Sequence, residues 1–178
     1  YISKNNKVFV GSLIETANCG EAKVLYLNGY RGDVEFLNTG NIDNFRKDHL
    51  VDGKIKDQKA PLTFGVGYTD GVITKVNKKH TKCYIAWVGV LERCFSKKLH
   101  TRFPSYKQAT VCNEWHSLKN FKIWFDEANY EEGFEVDKDL LYQGNKHYSP
   151  ETCILLPQRL NTLLVHKYTN RKSKVLPI

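Results

Sequence analysis

The chain has 178 residues, and its 27 Lys and Arg against 19 Asp and Glu leave a formal charge of +8. With 41% hydrophobic and 12% aromatic residues it is a folding chain, because disordered segments lack the apolar surface that offsets chain entropy; one compact unit or two small ones is expected. No apolar run approaches the roughly 20 residues of a membrane helix, and the start, Tyr1-Ile2-Ser3-Lys4, has no leader pattern, so the expectation is a soluble, intracellular protein with no membrane partner.

An excess of positive charge attracts polyanions, which puts nucleic acid first among partners on electrostatics alone. The five cysteines, Cys19, Cys83, Cys94, Cys112 and Cys153, are widely and irregularly spaced without a Cys-x-x-Cys pair, and read as reduced, mostly buried thiols.

In chain order, three short β-type runs come first: Lys7 to Val10, Lys23 to Leu27 and Asp33 to Leu37. Asn28-Gly29 and Asn38-Thr39-Gly40 hold residues that tolerate positive φ and are expected to turn the chain, the first as a candidate hairpin. The runs describe a small antiparallel module over residues 1–66. A polar stretch follows from Asn44 to Lys59, with Arg46, Lys47, Lys54, Lys56 and Lys59; it fits a phosphate contact or a solvated connector, with the connector favoured. Phe64-Gly65-Val66-Gly67-Tyr68 lacks the third glycine and the following Lys-Ser/Thr of a phosphate loop, and reads as a tight β turn.

The second region, 67–178, begins its regular structure near Tyr84. Apolar residues at Tyr84, Trp87, Val88, Leu91, Cys94 and Phe95 follow the three-and-four spacing of an amphipathic helix, with Trp87 in the core. The basic segment Lys97, Lys98, His100, Arg102 ends at Pro104. Ala109 to Cys112 reads as β. Ser117 then caps a helix with the apolar face Leu118, Phe121, Trp124, Phe125 and Ala128. Phe134 to Val136 reads as a strand, followed by Asp137-Lys138-Asp139 and a loop with Gly144-Asn145. Ser149-Pro150-Glu151 has a cap, a first-turn proline and an acid suited to the positive end of a helix, which predicts a helix running through Thr152, Cys153 and Ile154. His166, Lys167, Arg171, Lys172 and Lys174 form a basic tail, either a polyanion contact or a solvated terminus.

Strand, acidic-basic cluster, Asn-bearing loop and capped helix are the parts of a ββα-metal finger in this order. Val111-Cys112-Asn113-Glu114-Trp115, Asn120-Phe121, Trp124-Phe125, Val136-Asp137-Lys138-Asp139, Gly144-Asn145-Lys146 and Tyr148 to Cys153 together resemble phage-encoded HNH-type endonucleases over roughly residues 80–165. The implied fold class is α+β, with the N-terminal β module followed by an HNH-like domain with flanking helices.

The resemblance places Asp137 at the metal-binding carboxylate, Lys138 at the general base, Asn145 at the loop-holding asparagine and Thr152 at the ligand early in the helix. Two of these depart from the pattern, since the base position is normally His and the helix ligand Asn or His. An unperturbed Lys, with a pKa near 10.4, is charged at neutral pH and takes no proton from water, so Lys138 is expected to act electrostatically. His147 is the nearest imidazole and a further catalytic candidate. Asp137 and Asp139 are oxygen ligands suited to Mg²⁺ or Mn²⁺. Cys94, Cys112 and Cys153 fall within the matched segments; structural zinc is open to them, and packed thiols are favoured. The alternative for Asp137-Lys138-Asp139 is a solvated strand end, and for Asn145 a turn residue.

The implied activity is metal-dependent hydrolysis of double-stranded DNA, homing-like or nicking, by a monomer or homodimer, in the host cytoplasm if phage-encoded. The alternative is a catalytically degenerate relative acting as a DNA-binding repressor or competitor. Lys97, Lys98, Arg102, Lys146, Arg159, Lys167, Arg171 and Lys172 are the candidate phosphate contacts, and Arg31, Arg46 and Arg159 the candidates for guanine.

Overall fold

The computed structural model describes residues 8–163. The chain divides into two compact units, Tyr1–Gly71 and Val72–Ile178. Both combine helix and sheet.

In the first unit β1 (Leu13–Glu15), β2 (Glu21–Asn28), β3 (Arg31–Phe36) and β4 (Ile42–Arg46) form one antiparallel sheet in sequential order, followed by the short helix α1 (Lys47–Val51). The expected hairpin at Asn28 is present, with Asn28 facing Arg31 across a two-residue turn. The expected strand at 7–10 is replaced: Lys7 lies outside the described residues, and Phe9 and Ser12 close a turn in which the Phe9 N–H donates to the Ser12 hydroxyl at 3.0 Å. Alternation along β2 breaks at a bulge between Val24 and Tyr26, so that Ala22 and Val24 face the core while Leu25 and Tyr26 are both exposed. Ile14, Ala22, Val24, Val34, Phe36, Leu50 and Ile55 make that core. Gly32 allows the closest approach within it: a Cβ there would lie 2.6 Å from Leu27 Cδ2 and 2.8 Å from the Tyr26 carbonyl oxygen.

The stretch from Asn44 to Lys59 is not a solvated connector. It completes β4, forms α1 and buries Leu50, Ile55 and Asp57, because Leu50 and Ile55 alone in a polar sequence still supply apolar surface that the sheet can cover. Asp57, 4% exposed, receives the Thr39 hydroxyl, the Asn41 amide at 2.9 Å and the Lys59 N–H at 2.8 Å, which fastens the expected turn at Asn38-Thr39-Gly40. The 64–68 segment is the tight turn its glycines predict, with the Gly67 N–H returning to the Thr63 carbonyl at 2.8 Å.

The second unit opens with the hairpin of β5 (Lys75–Val76) and β6 (Lys79–His80) and continues into α2 (Lys82–Phe95). Thr81 caps α2 through the Tyr84 N–H, and Cys83, Trp87, Val90, Leu91 and Cys94 line its buried face at helical spacing. Ser96 ends α2 and caps α3 (Lys97–Arg102), so the basic segment is helical; Pro104 then opens a 3-10 turn to Gln108. After β7 (Thr110–Val111), Ser117 caps α4 (Leu118–Glu127), as expected. The Trp87 indole donates to the Trp115 carbonyl at 2.7 Å, while the Trp115 ring lies 4.9 Å from Phe121 and 4.7 Å from Trp124. This aromatic cluster seats α4 on α2.

β8 (Phe134–Asp137) pairs antiparallel with β10 (Ile154–Pro157), and β7 pairs parallel with β9 (His147–Tyr148). The helix expected from Ser149 is therefore a single turn, in which the Thr152 and Cys153 N–H groups both return to the Ser149 carbonyl, at 3.2 and 3.0 Å, before the chain becomes β10. Strand pairing with β8 overrides the local helix signal. Helix α5 begins only after Pro157 and covers 158–163 to the end of the described residues.

Asp57→Ala should lower the stability of the first unit by about 2–4 kcal/mol, since several donors lose a charged, buried acceptor. Asp57→Asn, which keeps the shape and one acceptor oxygen, should cost less. Urea unfolding followed by far-ultraviolet circular dichroism distinguishes the two.

Candidate functional site

The candidate site is the loop between β8 and β10. Asp137 closes β8, and its Oδ1 accepts the N–H groups of Asp139 at 3.0 Å and Leu140 at 2.7 Å, which turns the chain sharply away from the strand. Asn145 ties the far side of the loop. Its Nδ2 donates to the carbonyls of Lys138 at 3.1 Å and His147 at 2.6 Å, and its Oδ1 accepts the His147 N–H at 2.9 Å. Asn145 thus ties together both ends of the loop through its side chain, and is more than a turn residue.

Lys138 is 6% exposed. Its ammonium donates to Asp139 Oδ2 at 2.7 Å and lies 5.8 Å from the centre of the Tyr148 ring. This contact makes Lys138 a fixed donor to Asp139 within the loop.

The His147 side chain is engaged with β7, its Nδ1 2.9 Å from the Thr110 hydroxyl. Thr152, assigned to the helix ligand, sits in the turn before β10: its hydroxyl donates to the His147 carbonyl at 2.8 Å and accepts the Ser149 N–H at 3.1 Å. That is a backbone-holding role. The first helix after the strand pair is α5, where Asn161 donates to Glu135 Oε2 at 3.2 Å. The clue in the sequence was Ile154-Leu155-Leu156 before Pro157, a short apolar strand ending where proline need not donate to a ladder.

The loop brings Asp137, Lys138, Asp139, Asn145 and His147 into one segment through the Asn145 bonds. Among the described residues no group of three or more His, Cys, Asp or Glu side chains converges as a metal cluster. Mg²⁺ is commonly held by one or two carboxylates together with water and substrate phosphate. Asp137 meets that minimum, because its Oδ2 takes no hydrogen bond among the described residues; Asp139 is half-exposed but shared with Lys138.

Behind the loop lies a thiol and phenol cluster. Burial pushes the Cys94 thiol up to about 12 and the Cys153 and Cys112 thiols up to about 11, so these groups stay protonated at neutral pH. Burial likewise raises the Tyr148 hydroxyl. Burial by itself lowers the Arg93 guanidinium, but Tyr148, Tyr106 and Glu135 around it raise it on balance. Cys19, Cys83, Cys94 and Cys153 are buried free thiols, as the sequence suggested, and Cys112 is half-buried.

Of the expected phosphate contacts, Lys97, Lys98, Arg102, Lys146 and Arg159 are exposed. Lys167, Arg171 and Lys172, with the rest of the basic tail, lie outside the described residues. Among the described residues no helix is long and apolar enough to cross a membrane. The chain matches no protein-family model, no curated protein and no solved structure.

Asn145→Ala removes three hydrogen bonds from the loop, and limited proteolysis should then cut within 138–147 while α2 and α4 remain protected. A second expectation concerns the thiols. Native protein at pH 8 should react with a thiol reagent first at Cys112, the other four reacting only on unfolding. Because burial raises the thiols of Cys83, Cys94, Cys112 and Cys153 above the usual value of 9.0, the folded state binds more protons than the unfolded chain between about pH 9 and 12. Stability should therefore fall as pH rises through that window, as measured by urea midpoints at stepped pH.

Proposed function

We propose that this protein is a metal-dependent DNA endonuclease of the HNH type, hydrolysing phosphodiester bonds of double-stranded DNA. The observation that carries the reading is the order and bonding of the β8 to α5 segment: Asp137 at a strand end, a loop laced by Asn145, an antiparallel return strand and a helix directly after it. The +8 charge and the exposed Lys97, Lys98, Arg102, Lys146 and Arg159 suit a polyanionic substrate, with contacts mainly to phosphate.

In this reading Asp137 holds Mg²⁺ or Mn²⁺ through Oδ2, with Asp139 as a second carboxylate and Asn161 as the side chain early in the following helix. The cation would supply charge neutralisation at the scissile phosphate and lower the pKa of a bound water. Lys138, fixed against Asp139, sets the local field and leaves Asp137 as the principal negative charge facing substrate. Asn145 keeps the Asp137 turn and His147 at a constant separation, so that orientation is set before DNA arrives.

A second reading, DNA binding without cleavage, is favoured by one observation: Lys138 occupies the base position as a buried, ion-paired donor, and His147 is bonded to Thr110. Such a protein would act as a repressor or competitor.

Supercoiled-plasmid conversion separates the two. The endonuclease reading expects nicking with Mg²⁺ or Mn²⁺ that stops in EDTA and falls at least about 100-fold in Asp137→Ala at matched DNA binding. Lys138→Gln should weaken the rate without abolishing it. Tight, salt-sensitive binding with no nicking in either metal would instead establish the second reading.

A further inference from the structure

The first unit carries a feature that the nuclease reading leaves unused. An open groove of about 670 Å³ lies where the β2–β3 hairpin tip meets the start of α1, lined by Tyr30, Arg31, Arg46, Lys47, Asp48 and Val51. The Lys47 N–H donates to the Tyr30 carbonyl at 2.8 Å, so the backbone of the tip is fastened to the helix. Tyr30 is 89% exposed, the most exposed large apolar residue among the described residues.

The charges around that ring are arranged against the interests of the free protein. Arg31 and Arg46 are direct cross-strand partners, and like charges in that position repel. Arg31 is held by neutral groups, donating to the Asn44 side-chain oxygen and, at 2.9 Å, to the Asn44 carbonyl, so its charge is positioned without being cancelled. Arg46 pairs with Asp48 at 2.8 Å, but both side chains are more than half exposed, where such a pair contributes little and is easily exchanged for another anion. Lys47 adds a third cation. Of the acids, Asp48 lines the groove, while Asp33 accepts from the Nδ2 of Asn44, the residue that holds Arg31. Three cations against one lining carboxylate, with a bare aromatic ring beside them, is the pairing of phosphate and base-stacking groups by which proteins hold unpaired strands.

We infer that this groove binds single-stranded nucleic acid, with phosphates on Arg31, Arg46 and Lys47 and one unpaired base stacked on Tyr30. A duplex offers the same phosphates but keeps its bases stacked inside, out of reach of a lone ring at a hairpin tip. The inference goes beyond the endonuclease reading and does not depend on it.

The test uses the full chain, with a fluorescein-labelled oligodeoxythymidylate and a blunt duplex of the same length, read by fluorescence anisotropy. Tyr30→Ala should weaken single-strand binding about tenfold and leave duplex binding unchanged, while Tyr30→Phe retains it. Lys47→Ala should reduce the slope of log affinity against log salt by about 0.7 for the single strand. Both side chains are exposed, and unchanged melting curves would show that the variants fold. Independently, the unsubstituted protein irradiated with a 5-iodouracil strand should cross-link at Tyr30. Absence of single-strand binding, equal loss on duplex and single strand in Tyr30→Ala, or a cross-link confined to residues outside the groove would each overturn the proposal.

Discussion

A loop that turns sharply back on itself must find partners for its backbone groups, and the segment between β8 and β10 finds several of them in its own short polar side chains. Asp137 takes two N–H groups at one end, Asn145 bridges two carbonyls and an N–H in the middle, and Thr152 joins the Ser149 N–H to the His147 carbonyl at the other. Because those groups are satisfied locally, Val136, Tyr148 and Cys153 can be buried and the two strands of the β8–β10 pair can meet. Lys138 is carried inward by the same path, and its ion pair with Asp139 is what makes that burial tolerable.

The same side chains are the chemical candidates, and the two roles compete for the same atoms. A hydroxyl that donates to one backbone carbonyl and accepts from one N–H, as at Thr152, has little left for a cation. Asn145 is likewise spent on the loop. Asp137 divides its carboxylate, with Oδ1 used for the turn and Oδ2 without a hydrogen bond among the described residues, and for that reason the proposed chemistry rests on this residue more than on any other. Burial keeps the thiols behind the loop in the protonated form at neutral pH.

The first unit follows a different logic. Its sheet is closed by a buried carboxylate, Asp57, reaching back to the turn at Thr39 and Asn41, and by Gly32, which lets Leu27 and Leu50 approach the strand. The bulge after Val24 places Leu25 and Tyr26 outside, and the hairpin tip gathers Tyr30 and the cations at one end of the sheet while Asp33 and Glu35 lie further along β3.

Several features were legible in the sequence because they depend on neighbours in the chain. The spacing of Trp87, Leu91 and Cys94 defined α2, Ser117 announced α4, Asn28-Gly29 the hairpin, and Gly65-Val66-Gly67 the tight turn. What the sequence could not show were choices made by distant partners. Ser149-Pro150-Glu151 has every local mark of a helix start, yet β8 offers Ile154 to Pro157 a strand edge, and the pairing wins. Asn44 to Lys59 looks solvated until Leu50, Ile55 and Asp57 meet the sheet. The sequence by itself determined the α+β composition, the capped helices and the acidic-basic cluster at 137–139, since these are properties of periodicity and adjacency. Only the tertiary structure decided that Lys138 is buried, that His147 faces Thr110 and that the helix waits until residue 158, because burial and strand pairing depend on groups far apart along the chain.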